Sequence, residues 1–104
     1  MGWEARMAET YSHTTWRVKP GSEQEFVRRW EEWAEWSHRQ GLGAHARLLH
    51  DVESPEMYVS FGPWVSVDAV KNWRSLDGYH DRVARLREVV VSFEPRTFEM
   101  VAER

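Results

Sequence analysis

Glu56-Met57-Tyr58-Val59-Ser60-Phe61-Gly62-Pro63-Trp64 decides how this chain is read. It is rich in aromatic and β-branched residues, and successive side chains of a strand point to opposite faces. Met57, Val59 and Phe61 then share one face, and Tyr58, Ser60 and Trp64 the other. Large side chains on both faces predict a sheet covered on both sides. Helices cover one of them; the other needs a second sheet.

Upstream, Glu53-Ser54-Pro55 reads as a hairpin turn joining this strand to an earlier one over residues 44–52. Gly41-Leu42-Gly43 stops the helix that comes before it. That helix opens with Ser22-Glu23-Gln24-Glu25, the pattern of a capping box in which Ser22 caps and Glu25 reaches back. Phe26, Val27, Trp30, Trp33 and Ala34 recur at helical spacing, and Glu25–Arg29 and Glu35–Arg39 fall four residues apart. Trp36 lies at the edge of the apolar stripe, about 80° from Phe26, where a pocket lining or a partner contact belongs. The first strand spans residues 10–18 and ends at the turn Lys19-Pro20-Gly21.

Downstream, Ser66 caps a short helix through Ala69, Val70 and Trp73 that ends at Asp77-Gly78. Tyr79, Val83, Leu86, Val90 and Phe93 predict a longer helix, being spaced by 4, 3, 4 and 3 residues. Residues 94–102 read as the last strand. The order is β-α-β-β-α-β, the split βαβ or ferredoxin-like α+β arrangement, with helices on one face of a four-stranded antiparallel sheet. A bare second face carrying aromatic side chains is costly in water, so two protomers are expected to close their sheets into a dimeric barrel. Residues 1–9 read as a loose tail and residues 10–104 as the domain.

Composition narrows the function. Seven tryptophans in 104 residues, with no cysteine, exceed what one small core requires. A chain this short buries only about 60–70% of its unfolded surface, so association adds useful apolar burial. The surplus predicts an aromatic-lined pocket, a subunit interface, or both. A net charge of −3 without a basic stripe argues against nucleic-acid binding. No apolar run approaches the ~18–20 residues of a membrane span, and the first residues lack the apolar core of a signal peptide. The expectation is a soluble, cytoplasmic domain.

The five histidines (13, 38, 45, 50 and 80) show no metal-ligand spacing, and zero cysteines remove thiolate chemistry, so no metal is expected. His45 and His50, read on one strand, face opposite ways. No phosphate-cradling glycine motif occurs. Arg82 borders an apolar stripe, unlike the other helix arginines. What remains is aromatic and neutral-polar, a lining suited to a flat conjugated ligand.

Trp16-Arg17-Val18-Lys19-Pro20-Gly21, with Glu25-Phe26 and Trp30, is similar to the opening of the antibiotic biosynthesis monooxygenase domain. Tyr58-Val59-Ser60-Phe61-Gly62-Pro63-Trp64-Val65-Ser66, then Ala69, Trp73, Tyr79 and Phe93-Glu94-Pro95-Arg96-Thr97-Phe98-Glu99, extend the resemblance over residues 10–102. It implies the same dimeric fold. In the polyketide-oxidising branch a Trp ends the third strand, an Asn lies four residues earlier and a Tyr follows in the next helix. Trp64 matches that Trp, Ser60 stands for the Asn and Val70 for the Tyr. In the haem-degrading branch Trp73 matches a porphyrin-distorting Trp, Thr14 falls near an Asn, and Val83 takes the place of the iron-binding His, with His80 three residues early.

The resemblance implies a cofactor-independent monooxygenase acting with O₂ on a planar, electron-rich aromatic such as a phenol, hydroquinone or anthrone. Trp64, Trp73 and His13 are the candidate catalytic residues. Tyr11, Ser60, Val70, Tyr79, His80, Arg82 and Trp36 are the candidate binding set. His13 or His80 would accept the substrate proton, and Arg82 or Tyr79 would steady the anion. The alternatives are a non-catalytic dimer that binds a hydrophobic metabolite, and a haem-binding or haem-degrading relative.

Overall fold

The computed structural model describes residues 9–40 and 45–104. Most of the expected tail, the Gly41-Leu42-Gly43 stop and Ala44 lie outside them. Strand β1 spans Thr10–Val18, helix α1 Glu23–Arg39, β2 Arg47–His50 and β3 Met57–Trp64. Helix α2 covers Val67–Arg74, α3 Asp77–Arg87 and β4 Val90–Glu99. The strands form one antiparallel sheet in the order β2-β3-β1-β4. The fold is ferredoxin-like α+β.

Thr14 pairs with Ser60 on β3 and with Pro95 on β4. Pro95, which has no N–H, is tolerated because β4 is an edge strand. Thr10, Ser12, Thr14, Trp16 and Val18 face the helices, as do Tyr58, Ser60, Gly62 and Trp64. Trp16, Val18, Phe26, Val70 and Leu86 are sealed from solvent at the centre of the layer between sheet and helices. Trp16 meets Phe26 at 5.4 Å, stacks on Phe93 at 5.4 Å and takes Trp33 edge-on at 5.6 Å.

Four local readings are corrected. The capping box at Ser22 does not form: its side chain makes no capping hydrogen bond, and Glu25 turns instead to Arg28 and to Arg29, the latter at 2.7 Å. Two guanidinium partners outcompete a reach back to one backbone N–H. Strand β2 is four residues long, so His45 precedes it rather than alternating with His50 along it. Asp77 and Gly78 open α3 instead of closing α2, which ends at Arg74. Val90 and Phe93 belong to β4, where Val90 pairs with Val18 and Phe93 with Trp16; strand pairing overrides their helical spacing. The cap at Ser66 forms, its Oγ accepting from the Ala69 N–H at 3.0 Å.

Among the described residues nothing covers the sheet face away from the helices. Tyr11, His13, Val59 and Phe61 lie there half-buried, with Phe98 47% and Leu49 49% exposed at the flanks.

Candidate active site

The inward face of β1 and β3 carries short hydroxyl side chains where a core would use aliphatic ones. Two of them, Ser12 and Ser60, meet an indole. Trp16 donates its Nε1–H to Ser60 Oγ at 2.9 Å, and Trp64 donates to Ser12 Oγ at 2.9 Å. On α1, Ser37 Oγ accepts from Trp73 Nε1 at 2.8 Å and donates to the Trp33 carbonyl at 2.9 Å. Three indoles are thus tethered by hydroxyls from three elements, β1, β3 and α1.

Between these groups lies a cavity of about 50 Å3, room for roughly three to five waters. Trp64 and Trp73 form one wall, their ring centroids 4.7 Å apart. Ser12, Thr14 and Ser60 floor it from the sheet, and Trp30, Trp33 and Ser37 close it from α1. His38 and His45, both exposed, border it at the solvent side. His45 takes a left-handed backbone, φ +54°, which His tolerates better than most residues. Gly62 lets this corner fold in, because a Cβ there would come 3.2 Å from the Ala46 Cα. No Asp, Glu, Lys or Arg among the described residues lines the cavity.

Trp30 and Trp33 are 6% and 5% exposed, yet neither buried Nε1–H has an acceptor among the described residues. An unpaired buried donor costs about 1–3 kcal/mol. Their periodicity on α1 reads simply as core; they are core and cavity wall together. Ser37 was also legible in principle, since a serine eleven residues after Phe26 and four after Trp33 interrupts an apolar stripe.

The antibiotic biosynthesis monooxygenase profile matches residues 11–85. The chain belongs to this family. No curated protein matches it in sequence. Among solved structures, family member and fold neighbour alike superpose closely. A variant of SnoaB, a cofactor-independent oxygenase from Streptomyces nogalater, is 21% identical with a TM-score of 0.83, over 92% of this chain and 96% of that one. A conserved protein from Methanosarcina mazei Go1 is 16% identical with a TM-score of 0.80, over 92% and 96%. A candidate antibiotic biosynthesis monooxygenase from Bordetella bronchiseptica is 17% identical with a TM-score of 0.80, over 90% and 98%.

In this family member the sequence-derived site residues divide among several places. Trp64, Trp73 and Ser60 meet at the cavity. His13 does not reach it: it lies on the opposite face of the sheet, 5.2 Å from Phe98, because its parity on β1 is that of Tyr11 and not of Ser12. Tyr11, on that same outer face, donates its hydroxyl to Glu9, which holds the phenol above its ordinary range. Val70 is sealed in the core. Tyr79 packs edge-on behind Trp73 at 4.8 Å. Burial pushes its phenol up and outweighs the nearby Arg74, which pulls the other way. Its second neighbour, His80, opens onto a separate cleft between α3 and β4.

Arg82 stacks over Trp36, 4.6 Å from the ring, on the outer side of α1 and α3. Trp36 is therefore an internal packing residue, covered by Gly78 and Arg82. The haem-branch positions split between two places: Thr14 and Trp73 line the cavity, His80 and Val83 the cleft. No cluster of three metal-ligating side chains occurs among the described residues, and no helix among them is long and apolar enough to cross a membrane.

Proposed function

We propose that this family member is an oxygenase that needs no added cofactor, oxidising a planar, electron-rich phenol, hydroquinone or anthrone with O₂, and that it works as a homodimer. One observation carries the reading: an indole-walled cavity floored by neutral hydroxyls, with no carboxylate in its lining. Such a lining holds an aromatic ring and favours its deprotonated oxygen over a hydrated one.

The substrate supplies the electrons. Loss of its acidic proton to His38 or His45 at the cavity mouth gives an electron-rich anion. That anion passes one electron to O₂, and the resulting ring radical and superoxide join through a new C–O bond. The peroxide anion takes up a proton. Breaking its O–O bond, with loss of the hydrogen on the same carbon, leaves a carbonyl and releases water. One oxygen atom ends in the product and one in water. The protein's own share is positioning against Trp64 and Trp73, exclusion of water, and stabilisation of the anion by hydroxyl donors. Ser12 and Ser60 each accept an indole N–H and keep an O–H for the ligand.

The outer sheet face supports the dimer. Phe61, Val59, Leu49 and Phe98 form an apolar patch that a second copy of the same face would cover.

Oxygen-electrode assays over a panel of anthrones, hydroquinones and phenols test the activity. Uptake above the buffer rate, reduced at least tenfold in a folded Trp64→Phe variant, is the expected result. A flat trace over the whole panel overturns it, and ligand quenching of tryptophan fluorescence without uptake leaves a sequestering protein instead.

A further inference from the structure

Trp30 and Trp33 stand one turn apart on α1, in the cavity wall, and differ from the neighbouring indoles in one respect. Trp16, Trp64 and Trp73 each donate to a serine; the Nε1–H groups of Trp30 and Trp33 are buried with no acceptor among the described residues. The nearest rings do not substitute for one. Trp33 stacks on Trp73 at 5.3 Å and meets Trp16 edge-on at 5.6 Å, and Trp30 meets Trp33 at 6.5 Å; an aromatic face is a weak acceptor beside an oxygen. With the spare O–H groups of Ser12 and Ser60, the residues of the wall carry donors, and no carboxylate among the described residues lines it to compete for them. What complements it is an oxygen atom of the ligand, most strongly an anionic one.

The size of the cavity limits the rest of that ligand. About 50 Å3 is well under the ~150 Å3 that seats a benzene in an apolar protein cavity, so a single ring enters only as the wall gives way, and three fused rings would demand far more.

We propose that the cavity binds a one-ring phenol or hydroquinone whose ring oxygen is held by the indole N–H groups of Trp30 and Trp33, which makes these two the positioning residues that select an oxygenated ring. The proposal rests on the reading of this cavity as the substrate site.

Indole ¹⁵N–¹H spectra of the labelled full chain test it, with hydroquinone and p-xylene as probes of similar size, one with oxygen acceptors and one without. Trp30→Phe and Trp33→Phe identify the two signals by their loss. Hydroquinone is expected to move both signals downfield more than those of the other indoles, and p-xylene is not. Each Phe variant is expected to weaken hydroquinone about tenfold and to leave p-xylene affinity unchanged. Equal shifts with both probes, or hydroquinone shifts confined to other indoles, overturn the proposal. So does tighter binding of anthrone than of hydroquinone. The two readings fail separately: shifts at Trp30 and Trp33 without oxygen uptake sink the oxygenase and keep the site, while uptake without those shifts does the reverse.

Discussion

Ser37 on α1 holds Trp73 on α2: the serine oxygen accepts the indole N–H at 2.8 Å while its own proton goes to the Trp33 carbonyl one turn back. Ser37 is 6% exposed and Trp73 4%, so no solvent replaces either bond. Ser37→Ala is expected to destabilise the fold by about 1–3 kcal/mol, the cost of leaving a buried donor unpaired. In a Trp73→Phe background, where no donor remains to satisfy, the same substitution should cost clearly less. Urea denaturation followed by circular dichroism on all four proteins measures the coupling. Simple additivity would mean that the bond holds nothing in place.

That tether also marks where the sequence stops being legible. Strand β1, the inward face of β3 and the β-α-β-β-α-β order follow from alternation, turn residues and helical spacing, which are local properties. The α3–β4 boundary does not, because Val90 and Phe93 satisfy a helical spacing while their partners, Val18 and Trp16, lie more than seventy residues away. The candidate site was half readable. Trp64, Trp73 and Ser60 line one cavity, though the resemblance draws Trp73 from a different branch than the other two, whereas His13 misses it through the parity of one strand position. Helical spacing turns Trp30 and Trp33 inward without revealing the cavity they line, and His38 and His45 reach its mouth by tertiary packing that no periodicity encodes.

Glu25 sits between two guanidinium groups. Hydrogen bonds from Arg28 and Arg29 lower its carboxyl from the ordinary 4.5 to about 2. A carboxylate whose folded pKa is depressed stabilises the fold above its unfolded pKa and stops doing so as pH falls through the folded value. Thermal midpoints should therefore decline between about pH 4.5 and about pH 2 in a way that Glu25→Gln flattens. Since the group is exposed, raising the salt should shrink the difference between the two proteins. Parallel curves for both proteins across that window would remove Glu25 as a contributor.

Phe98 is 47% exposed on the face opposite the helices and packs against His13 at 5.2 Å. If that face is the dimer interface, Phe98→Glu places a charge within an apolar contact and leaves the helix-side core intact. Light scattering at micromolar concentration should give twice the chain mass for the parent and the single mass for the variant. A parent that is already monomeric would remove the sheet-to-sheet dimer.

Gly78 and Trp36 make a prediction whose sign reverses with background. A Cβ at position 78 would lie 2.3 Å from Trp36 Cζ2 and 2.8 Å from Cε2, so Ala there must displace an indole that Arg82, one turn further along the same helix, covers at 4.6 Å. Helix propensity alone favours Gly78→Ala by up to about 1 kcal/mol in α3. Overpacking against a wedged ring costs about 1–3 kcal/mol, so the clash is expected to win and the single variant to be less stable than the parent. With Trp36→Ala already in place, the obstruction is gone and only propensity remains. Gly78→Ala should then stabilise that background, by up to about 1 kcal/mol. Chemical denaturation of the four proteins decides it: the same sign in both backgrounds would show that the Trp36 ring yields freely and that Gly78 is not needed for α1 and α3 to pack.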